Sequence, residues 1–445
     1  MRKISLFLFL PLFCGIFFSC KKDKLITDSD AKLGFSQDTI MFDTIFTTIG
    51  STTKYFTVHN DNNQRINISN IRLARGNASP YRLNVDGTPT KSINDVEIEA
   101  HDSIYIFVEV TVDPITFVNP LVTDSILFET NGNMQDVDLI SFAKDAYFHL
   151  PNHKIIFSNG GVLYYGLEHN SSVYNNWPAD KPHVVYGYYV VDSAKTLNVE
   201  AGTNVYIHQN GGLWVYRYGT IKVNGTLAQP VTFQGDRLEA EYADVPGQWD
   251  RIWINEGSTG NLIDYAIIKN GFIGIQHDII AGNLSEPRKL TVNNTIVKNM
   301  SGWGLFAYHG NIEGNNNLVC NCAKNVAAFL YGGKFKFYHC TFANFWNKSD
   351  RGDPVLYMNN YEGSFSIPLD TVYFGNCIID GANGEEFALD TLATGGVCNH
   401  VFENTLIKTN VNISGTRFIS CWQNQPPNYE DAINYNFKLN TGAFP

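Results

Sequence analysis

Three groups of acidic residues are close enough in the sequence to place two carboxylates at one site. They are Asp236, Glu239, Glu241 and Asp244; Asp350 and Asp353; and Glu385, Glu386 and Asp390. Two carboxyl groups about 5 to 9.5 Å apart can hydrolyse a glycosidic bond, one as general acid and the other as base or nucleophile. Elimination would instead use a basic side chain. The candidates for that base are Arg217, Lys222, Arg237, Arg251, Lys269 and Lys298.

Neither set of residues predicts a catalytic site. The acids lie in an insertion or in loops and do not repeat at outward strand positions, so solvated carboxylates are favoured over a catalytic pair. The histidines are scattered, and only one residue separates Cys320 from Cys322, which does not match the usual zinc spacing. We therefore predict no catalytic residue, no metal and no cofactor, and an enzyme is the less favoured alternative.

Aromatic side chains give the better indication of a binding site. If Leu213 and Val215 face inward, strand alternation turns the aromatic residues between and after them outward. Rows of exposed rings on a rigid support suit stacking on sugar rings, and exposed aromatic surface tends to mark interaction sites. The candidate ligand-binding residues are Tyr206, Trp214, Tyr216, Tyr218, Arg251 and Trp253. The alternative, weighed equally, is that residues 236–247 or the N-terminal domain cover these rings.

A repeated six-residue motif, which we call a phrase, predicts the elements that would position these residues. It occurs at Tyr265–Asn270, Asn294–Asn299, Asn317–Cys322, His339–Asn344, Asn376–Gly381 and Asn404–Thr409. The second residues of successive phrases lie 29, 23, 22, 37 and 28 positions apart. A short strand that returns at such intervals is typical of a solenoid.

Alternation within each phrase predicts which side chains face the core. Positions two and four share a face and carry no charge. They are Ala266/Ile268, Thr295/Val297, Leu318/Cys320, Cys340/Phe342, Cys377/Ile379 and Thr405/Ile407. The three cysteines in this set are thus interpreted as small core residues. Cys340 and Cys377 occupy equivalent positions about 4.8 Å apart, so a disulfide between them stays open, with free thiols favoured.

The region before these phrases has the same short strands with glycine and asparagine at the corners. Residues 197–233 and 249–275 alternate apolar with other residues in runs of three to five. These runs resemble the right-handed parallel β-helix family, and the resemblance extends over roughly residues 155 to 435. That family includes lyases, hydrolases and binding proteins, so the fold does not decide the function.

The N-terminus has the features of an export signal. Arg2 and Lys3 precede an apolar run from Ile4 to Phe18, followed by Ser19 and Cys20. The run is short for a membrane span, which needs about 20 residues. It resembles a bacterial lipoprotein signal, with Cys20 as the lipidation site; the alternative is an ordinary secreted protein. Lys21-Lys-Asp-Lys24 resembles the tether of surface lipoproteins in Bacteroidetes-type bacteria.

A separate domain precedes the solenoid. Residues 33–147 contain seven or eight strand candidates, such as Thr39–Ile45 and Ile104–Val112, separated by turn signals. This count predicts an immunoglobulin-like β-sandwich. The predicted boundaries are a signal peptide at 1–19, a tether at 20–32, the sandwich at 33–147, a junction or N-terminal cap at 148–185, the β-helix at 186–435 and a tail at 436–445.

Charge narrows the class of partner. Removing residues 1–19 takes away two basic residues and no acid, so the formal net charge moves from −11 to −13. Such a chain is not expected to bind nucleic acid. We predict an all-β lipoprotein of the bacterial outer membrane, on either side of it, whose β-helix displays a binding surface for glycan or another surface component. The alternative is a β-helix lyase or glycoside hydrolase acting on an acidic polysaccharide.

Overall fold

A computed structural model describes residues 24–47, 49–113, 120–167, 175–257, 260–278, 289–392 and 397–442. The predicted signal peptide and Cys20 lie outside these residues. The prediction of an all-β chain is confirmed, since the regular elements described are strands and two 3₁₀ helices, Gly76–Ala78 and Ala240–Tyr242. Within the described ranges, no helix has the length and apolar character needed to cross a membrane.

The chain divides into two compact units, residues 1–144 and 145–445. The first contains β1 (Gly34–Phe35), β2 (Thr39–Phe46), β3 (Lys54–His59), β4 (Ile66–Leu73), β5 (Tyr81–Val85), β6 (Thr88–Thr90), β7 (Ser92–Ile98), β8 (Ser103–Val110), β9 (Leu121–Thr130) and β10 (Asn133–Lys144). They form two five-stranded sheets, β1-β3-β8-β5-β6 and β2-β10-β9-β4-β7. All pairings are antiparallel except β2 with β10.

One hydrophobic cluster joins these two sheets. Phe56, Tyr81 and Val108 from the first sheet and Phe42 and Phe128 from the second are all at most 1% exposed. The Tyr81 hydroxyl donates a hydrogen bond to the carbonyl of Val122 (2.9 Å), so it links the sheets through the core. Burial raises the pKa of Tyr81 to about 12.

The second unit consists of strands most of which pair in parallel with those of neighbouring turns; three pairs among the described residues are antiparallel. The strands are β11 (Tyr147–His149), β12 (His153–Ile156), β13 (Val162–Gly166), β14 (Asn176–Trp177), β15 (His183–Val185), β16 (Tyr188–Val191), β17 (Thr196–Val199), β18 (Asn204–Ile207), β19 (Gly212–Val215), β20 (Thr220–Asn224), β21 (Val231–Gly235), β22 (Ile252–Ile254), β23 (Asn261–Asp264), β24 (Ala266–Lys269), β25 (Ile273–Asp278), β26 (Leu290–Asn293), β27 (Ile296–Met300), β28 (Trp303–Asn315), β29 (Leu318–Cys322), β30 (Ala327–Tyr338), β31 (Thr341–Asn344), β32 (Leu356–Asn359), β33 (Tyr361–Glu362), β34 (Phe365–Ser366), β35 (Leu369–Gly375), β36 (Ile378–Gly381), β37 (Phe387–Asp390), β38 (Cys398–Glu403), β39 (Leu406–Ile407), β40 (Phe418–Ile419), β41 (Trp422–Gln423), β42 (Tyr429–Asp431) and β43 (Asn436–Leu439).

Two large sheets contain most of these strands. An 11-stranded sheet has the order β11-β15-β18-β21-β24-β27-β29-β31-β36-β39-β41, and the other sheet has 18 strands. Each turn of chain gives two strand positions to the 18-stranded sheet and one to the 11-stranded sheet, as in β19, β20 and β21 followed by β22, β23 and β24. Large parallel sheets built in this way are those of a β-solenoid.

These boundaries differ from the predicted domain limits at both ends. Residues 145–147 belong to the second unit and not to the sandwich, and β11 is the first strand of the 11-stranded sheet. Parallel pairing therefore begins well before residue 186. At the other end, β42 and β43 pair as an antiparallel hairpin. A boundary at residue 435 would divide that hairpin.

The core of the second unit is a set of rows that run from turn to turn. In the 11-stranded sheet the buried row is Phe233, Ile268, Val297, Val319, Phe342, Ile379 and Ile407. Each of these side chains is at most 1% exposed. The phrase interpretation was therefore right for the fourth positions of five phrases.

The third phrase is out of frame by one residue. Val319 faces the core, whereas Leu318 and Cys320 lie on the outer side. There Cys320 packs with Ala343 of β31 and with Phe437 of the C-terminal hairpin. The sequence prediction that Leu318 and Cys320 face inward is therefore wrong. It failed because the hairpin buries this outer patch, so outward residues there are as apolar as inward ones. All six cysteines among the described residues are free thiols.

The corners between the sheets explain why asparagine begins the phrases. The first residue of each phrase in the corrected frame has a φ between 46° and 54°; they are Tyr265, Asn294, Asn316, His339, Asn376 and Asn404. Asparagine tolerates this left-handed conformation better than most residues. The side chains also form a ladder, because Asn316 Nδ2 donates to Asn294 Oδ1 (2.8 Å) and Asn294 Nδ2 donates to Asp264 Oδ1 (2.9 Å).

The first turns of the solenoid enclose a pair of buried histidines. His149 Nε2 and His183 Nδ1 are 2.9 Å apart, and His183 Nε2 lies 3.1 Å from the Pro178 carbonyl oxygen. A carbonyl only accepts, so His183 Nε2 carries a proton and its Nδ1 accepts from His149. Both rings stack on the buried indole of Trp177 at 4.7 to 4.8 Å. Burial, together with His149, lowers the pKa of His183 to about 3.

We predict that this histidine pair makes the second unit acid-sensitive. The folded pKa of His183 lies below its ordinary value of 6.5, so the unfolded chain binds the proton first. The free energy of unfolding should fall as pH drops from about 6.5 towards about 3, by up to about 1.4 kcal/mol per pH unit. Urea denaturation at a series of pH values measures this slope. His183→Gln should flatten it, and equal slopes in the two proteins would contradict the assignment.

Candidate functional site

The outward side chains of the 18-stranded sheet form a continuous row along the solenoid. Register places Trp214, Trp253, Gln276, Phe306, Ala328 and Tyr357 on successive turns. Asp278 and Tyr308 are neighbours in the adjacent outward row. We call this surface the outer aromatic face and define it by its partly exposed rings, which are Trp214, Trp253, Phe306, Tyr308, Tyr331 and Tyr357.

Two tryptophans form the first part of the face. The rings of Trp214 and Trp253 stack with their centroids 4.9 Å apart and their planes 11° apart. Each indole N–H is also bound, since Trp214 Nε1 donates to Asn255 Oδ1 (2.6 Å) and Trp253 Nε1 donates to Asp278 Oδ1 (2.7 Å). Stacking along the solenoid hides one face of each ring, so the pair presents its edges and outer ring faces.

Asp278 is the polar centre of this first part. Its carboxylate accepts hydrogen bonds from Trp253, from Asn255 Nδ2 (2.8 Å) and from Gln276 Nε2 (2.5 Å). The residue is 8% exposed, and burial raises its pKa although these three donors oppose the rise. Three donors aimed at one buried carboxylate fix the rings rigidly, and this arrangement serves positioning better than proton transfer.

Arg251 is held by neighbours on both sides. Its guanidinium bonds Asp250 Oδ1 at 2.9 Å and donates to Gln276 Oε1. Asp250 in turn accepts a hydrogen bond from the Tyr188 hydroxyl. Arg251 also lies 5.5 Å from the ring centre of Phe272, which is 36% exposed. The predicted binding residue Arg251 thus borders the face as a cation held in place by its neighbours, with 22% of its side chain exposed.

The second part of the face was missed by the sequence analysis. Tyr308 and Tyr331 stack at 5.1 Å, and Tyr308 donates a hydrogen bond to Glu362. Further along, the hydroxyls of Tyr357 and Tyr361 both donate to Asp390 Oδ2 (3.2 and 2.7 Å). The alternation in Leu305-Phe-Ala-Tyr308 is the same as in Leu213-Trp-Val-Tyr216 and would have indicated Phe306 and Tyr308.

The remaining predicted binding residues have different locations. Tyr216 packs edge-on against Trp214 with centroids 5.4 Å apart, and so belongs with the tryptophan pair. Tyr218 is 55% exposed at the following corner, where its ring lies against Gly257. Arg217 pairs with the fully buried Glu256 (2.5 Å). Tyr206 lies in the 11-stranded sheet and is only 8% exposed, so it is not brought together with the other five.

The acidic insertion lies at a corner of the other sheet. Its backbone carbonyls at Ala243 and Asp244 accept hydrogen bonds from Asn270 and Asn299 (2.9 and 3.0 Å). Within it, Arg237 forms a forked ion pair with Glu239. Asp236 bonds His208 at 2.7 Å. The asparagine hydrogen bonds attach the insertion to the ends of β24 and β27. Two of its four acids, Asp236 and Glu239, form local ion pairs.

One of the three groups of acidic residues, Glu385, Glu386 and Asp390, contains a carboxylate that forms a buried ion pair. Arg351 and Glu386 form two parallel hydrogen bonds of 2.6 and 2.8 Å, with side chains 3% and 0% exposed. Glu386 also accepts from the backbone N–H groups of Val355 (3.0 Å) and Asn383 (2.7 Å). The interpretation of Glu386 as a solvated loop acid is therefore wrong, because the loop around Arg351 folds over it.

Comparisons with known proteins do not place the chain in a family. No protein-family model and no curated protein matches the sequence. Among solved structures, the catalytic domain of Agl-KA aligns over 79% of both chains with 11% identity and a TM-score of 0.22. A family 123 glycoside hydrolase from Clostridium perfringens aligns over 25% of both chains, with 8% identity and a TM-score of 0.18. A PapD-like domain of human CEP192 aligns over 32% of this chain and 99% of its own length, with 8% identity and a TM-score of 0.19.

We predict that the Arg351–Glu386 pair stabilises the fold and does not bind ligand. Arg351→Met leaves a buried carboxylate unpaired and should lower the free energy of unfolding by about 3–5 kcal/mol. Adding Glu386→Gln should recover part of that loss. Lys289→Met, which removes an exposed pair with Glu313, is the matched control and should change stability by less than about 1 kcal/mol. Urea denaturation measures all three, and equal effects of Arg351→Met and Lys289→Met would contradict the prediction.

Proposed function

We propose that this chain is a cell-envelope lipoprotein that binds an extended glycan along the outer aromatic face of its solenoid. The observation that carries the proposal is the outward row in which four of six consecutive turns present an aromatic ring: Trp214, Trp253, Phe306 and Tyr357. Partly exposed rings on a rigid sheet favour contact with the apolar faces of sugar rings. The adjacent outward row contains side chains that form hydrogen bonds, Asp278 and Tyr308. Sugar hydroxyls need hydrogen-bonding partners of this kind.

The repeat of the face supports a polymeric ligand over a small one. Neighbouring turns lie about 4.8 Å apart, so six turns extend about 24 Å. Trp253 and Tyr357 are separated by Gln276 and Ala328, which are 7% and 2% exposed. The rings therefore form two groups with Phe306 between them. A ligand that contacts both groups at once must itself be extended.

The charge of the face favours a neutral glycan over an acidic one. Glu362 and Asp390 are exposed and lie beside the tyrosines, and Asp278 lies beside the tryptophans. Arg251 is paired with Asp250. The chain as a whole carries a formal charge of −11. A polyuronate would meet like charge along this surface, which opposes binding.

The anchor and the finer fold assignments belong to the same proposal. Cys20, after the apolar run from Ile4 to Phe18, would carry the lipid and attach the chain to the outer membrane. A lipoprotein with several acyl chains is held firmly. The first unit, with its two packed sheets, would be an immunoglobulin-like spacer. The second would be a right-handed parallel β-helix, since crossovers between parallel strands are almost always right-handed.

We predict that the wild-type protein binds one or more neutral glycans on an array and that Trp214→Ala or Tyr357→Ala weakens this binding about tenfold. Each change removes a ring from one of the two groups on the face. Tyr164→Ala removes a ring elsewhere that is 54% exposed, more than either ring of the face, and should leave binding unchanged. Absence of binding to any neutral glycan would contradict the proposal.

The same samples should be incubated with uronate polymers and assayed for reducing ends and for unsaturated products. Turnover abolished by Arg251→Ala or Asp244→Asn would replace the binding function with the enzymatic alternative.

We predict that Cys20 is the site of lipid attachment. Cys20→Ala should abolish incorporation of labelled palmitate in a bacterial host and move the protein out of the membrane fraction. Cys421→Ala, which alters a described free cysteine, is the control and should retain the label. Labelling that survives Cys20→Ala would overturn the anchor assignment and leave a secreted protein.

A further inference from the structure

A cavity lies on the outer side of the 11-stranded sheet, away from the outer aromatic face. It has a volume of about 490 Å³ and is lined by residues of β36, by the segment after β41 and by β42. Ligand pockets commonly have volumes of about 300–1,000 Å³. The side chains that matter for recognition are Phe345, Asp380, Lys408, Gln425 and Tyr429.

Two opposite charges form the floor of this cavity. Ile379 pairs with Ile407, so the next residues, Asp380 and Lys408, are side by side on adjacent turns. Lys408 Nζ donates to the Gly381 carbonyl oxygen (2.5 Å). Asp380 is 7% exposed, and among the described residues no side chain donates a hydrogen bond to its carboxylate. Burial raises the pKa of Asp380 to about 6, although the Gly381 N–H and Lys408 oppose the rise.

The wall provided by Tyr429 contains an unsatisfied polar group. Its hydroxyl is buried and has no hydrogen-bond partner among the described residues. Its ring packs edge-on against Phe345 with centroids 6.1 Å apart. A buried hydroxyl without a partner costs free energy, and native structures rarely contain one unless water or a ligand completes it. Tyr429 and Asp380 line the same cavity, so a molecule bound there would lie beside both side chains.

We propose that this cavity binds one neutral sugar residue, as a second site distinct from the outer aromatic face. The adjacent Asp380 and Lys408 cancel each other's charge, which disfavours a strongly anionic or cationic ligand. A carboxylate that accepts, a phenol that both donates and accepts, and the Gln425 amide match sugar hydroxyls, which also do both. The rings of Phe345 and Tyr429 provide apolar surface for the ring carbons. The proposal uses no residue of the outer aromatic face.

Saturation-transfer NMR on the full chain tests this, with glucose, galactose, mannose and N-acetylglucosamine as separate probes. At least one should bind the wild-type protein. Tyr429→Phe removes only the hydroxyl and should weaken that binding about tenfold, while the melting temperature of the free protein stays equal or rises. Asp380→Asn should weaken it to a similar degree. Tyr435→Phe, in the same hairpin, and Asp370→Asn, at an exposed position of β35, are matched controls and should bind as wild type.

The outcomes separate this site from the outer aromatic face. Trp214→Ala should leave sugar binding at the cavity intact even where it weakens array binding, and Tyr429→Phe should do the reverse. The proposal is overturned if none of the four sugars binds, or if binding survives both Tyr429→Phe and Asp380→Asn. Preferential binding of propylamine or acetate, used as charged probes, would also overturn it in favour of an ionic ligand.

Discussion

Parallel stacking of successive turns is the constraint on which the second unit depends. Each strand pairs in register with the strand of the turn before and the turn after. Residues at equivalent positions therefore form a row along the solenoid, in which neighbours are about 4.8 Å apart. The inner rows are mostly apolar, as Phe233, Ile268 and Val297 are, although His277 occupies one of them. The outer rows are less restricted. A side chain in an outer row, such as an aromatic ring, lies directly beside the equivalent side chains of the neighbouring turns.

The rows also determine how polar groups are satisfied. The corners take a left-handed backbone, and asparagine there bonds the asparagine of the next turn, as Asn316 does with Asn294. On the outer aromatic face, Asp278 accepts hydrogen bonds from Trp253 of β22, from Asn255 just after that strand and from Gln276 of β25. At the first turns, His149 and His183 satisfy each other while neutral. Buried polar groups of this kind stabilise only while every member has its partner.

Alternation within a strand predicted much of the fold and part of the site. It placed Leu213 and Val215 inward and Trp214 outward, as observed. It failed at Leu318 and Cys320, because a distant hairpin covers their outer side and the two faces became equally apolar. It also could not separate Tyr206 from Trp214, since both are outward in their own strands but belong to different sheets. Tyr308 and Tyr357 could have been found by the same parity.

The sequence by itself determined the period of the solenoid, most of the inward positions and the asparagine corners, because these depend on residues a few positions apart. Only the tertiary structure decided which rows adjoin, since that depends on how many residues each corner and insertion takes up. It brought Arg351 to Glu386 across 35 positions and laid the C-terminal hairpin over Cys320. It also placed Tyr429 and Asp380 in the lining of one cavity. Such contacts depend on where distant parts of the chain meet, and the alternation of residues within one strand does not specify that.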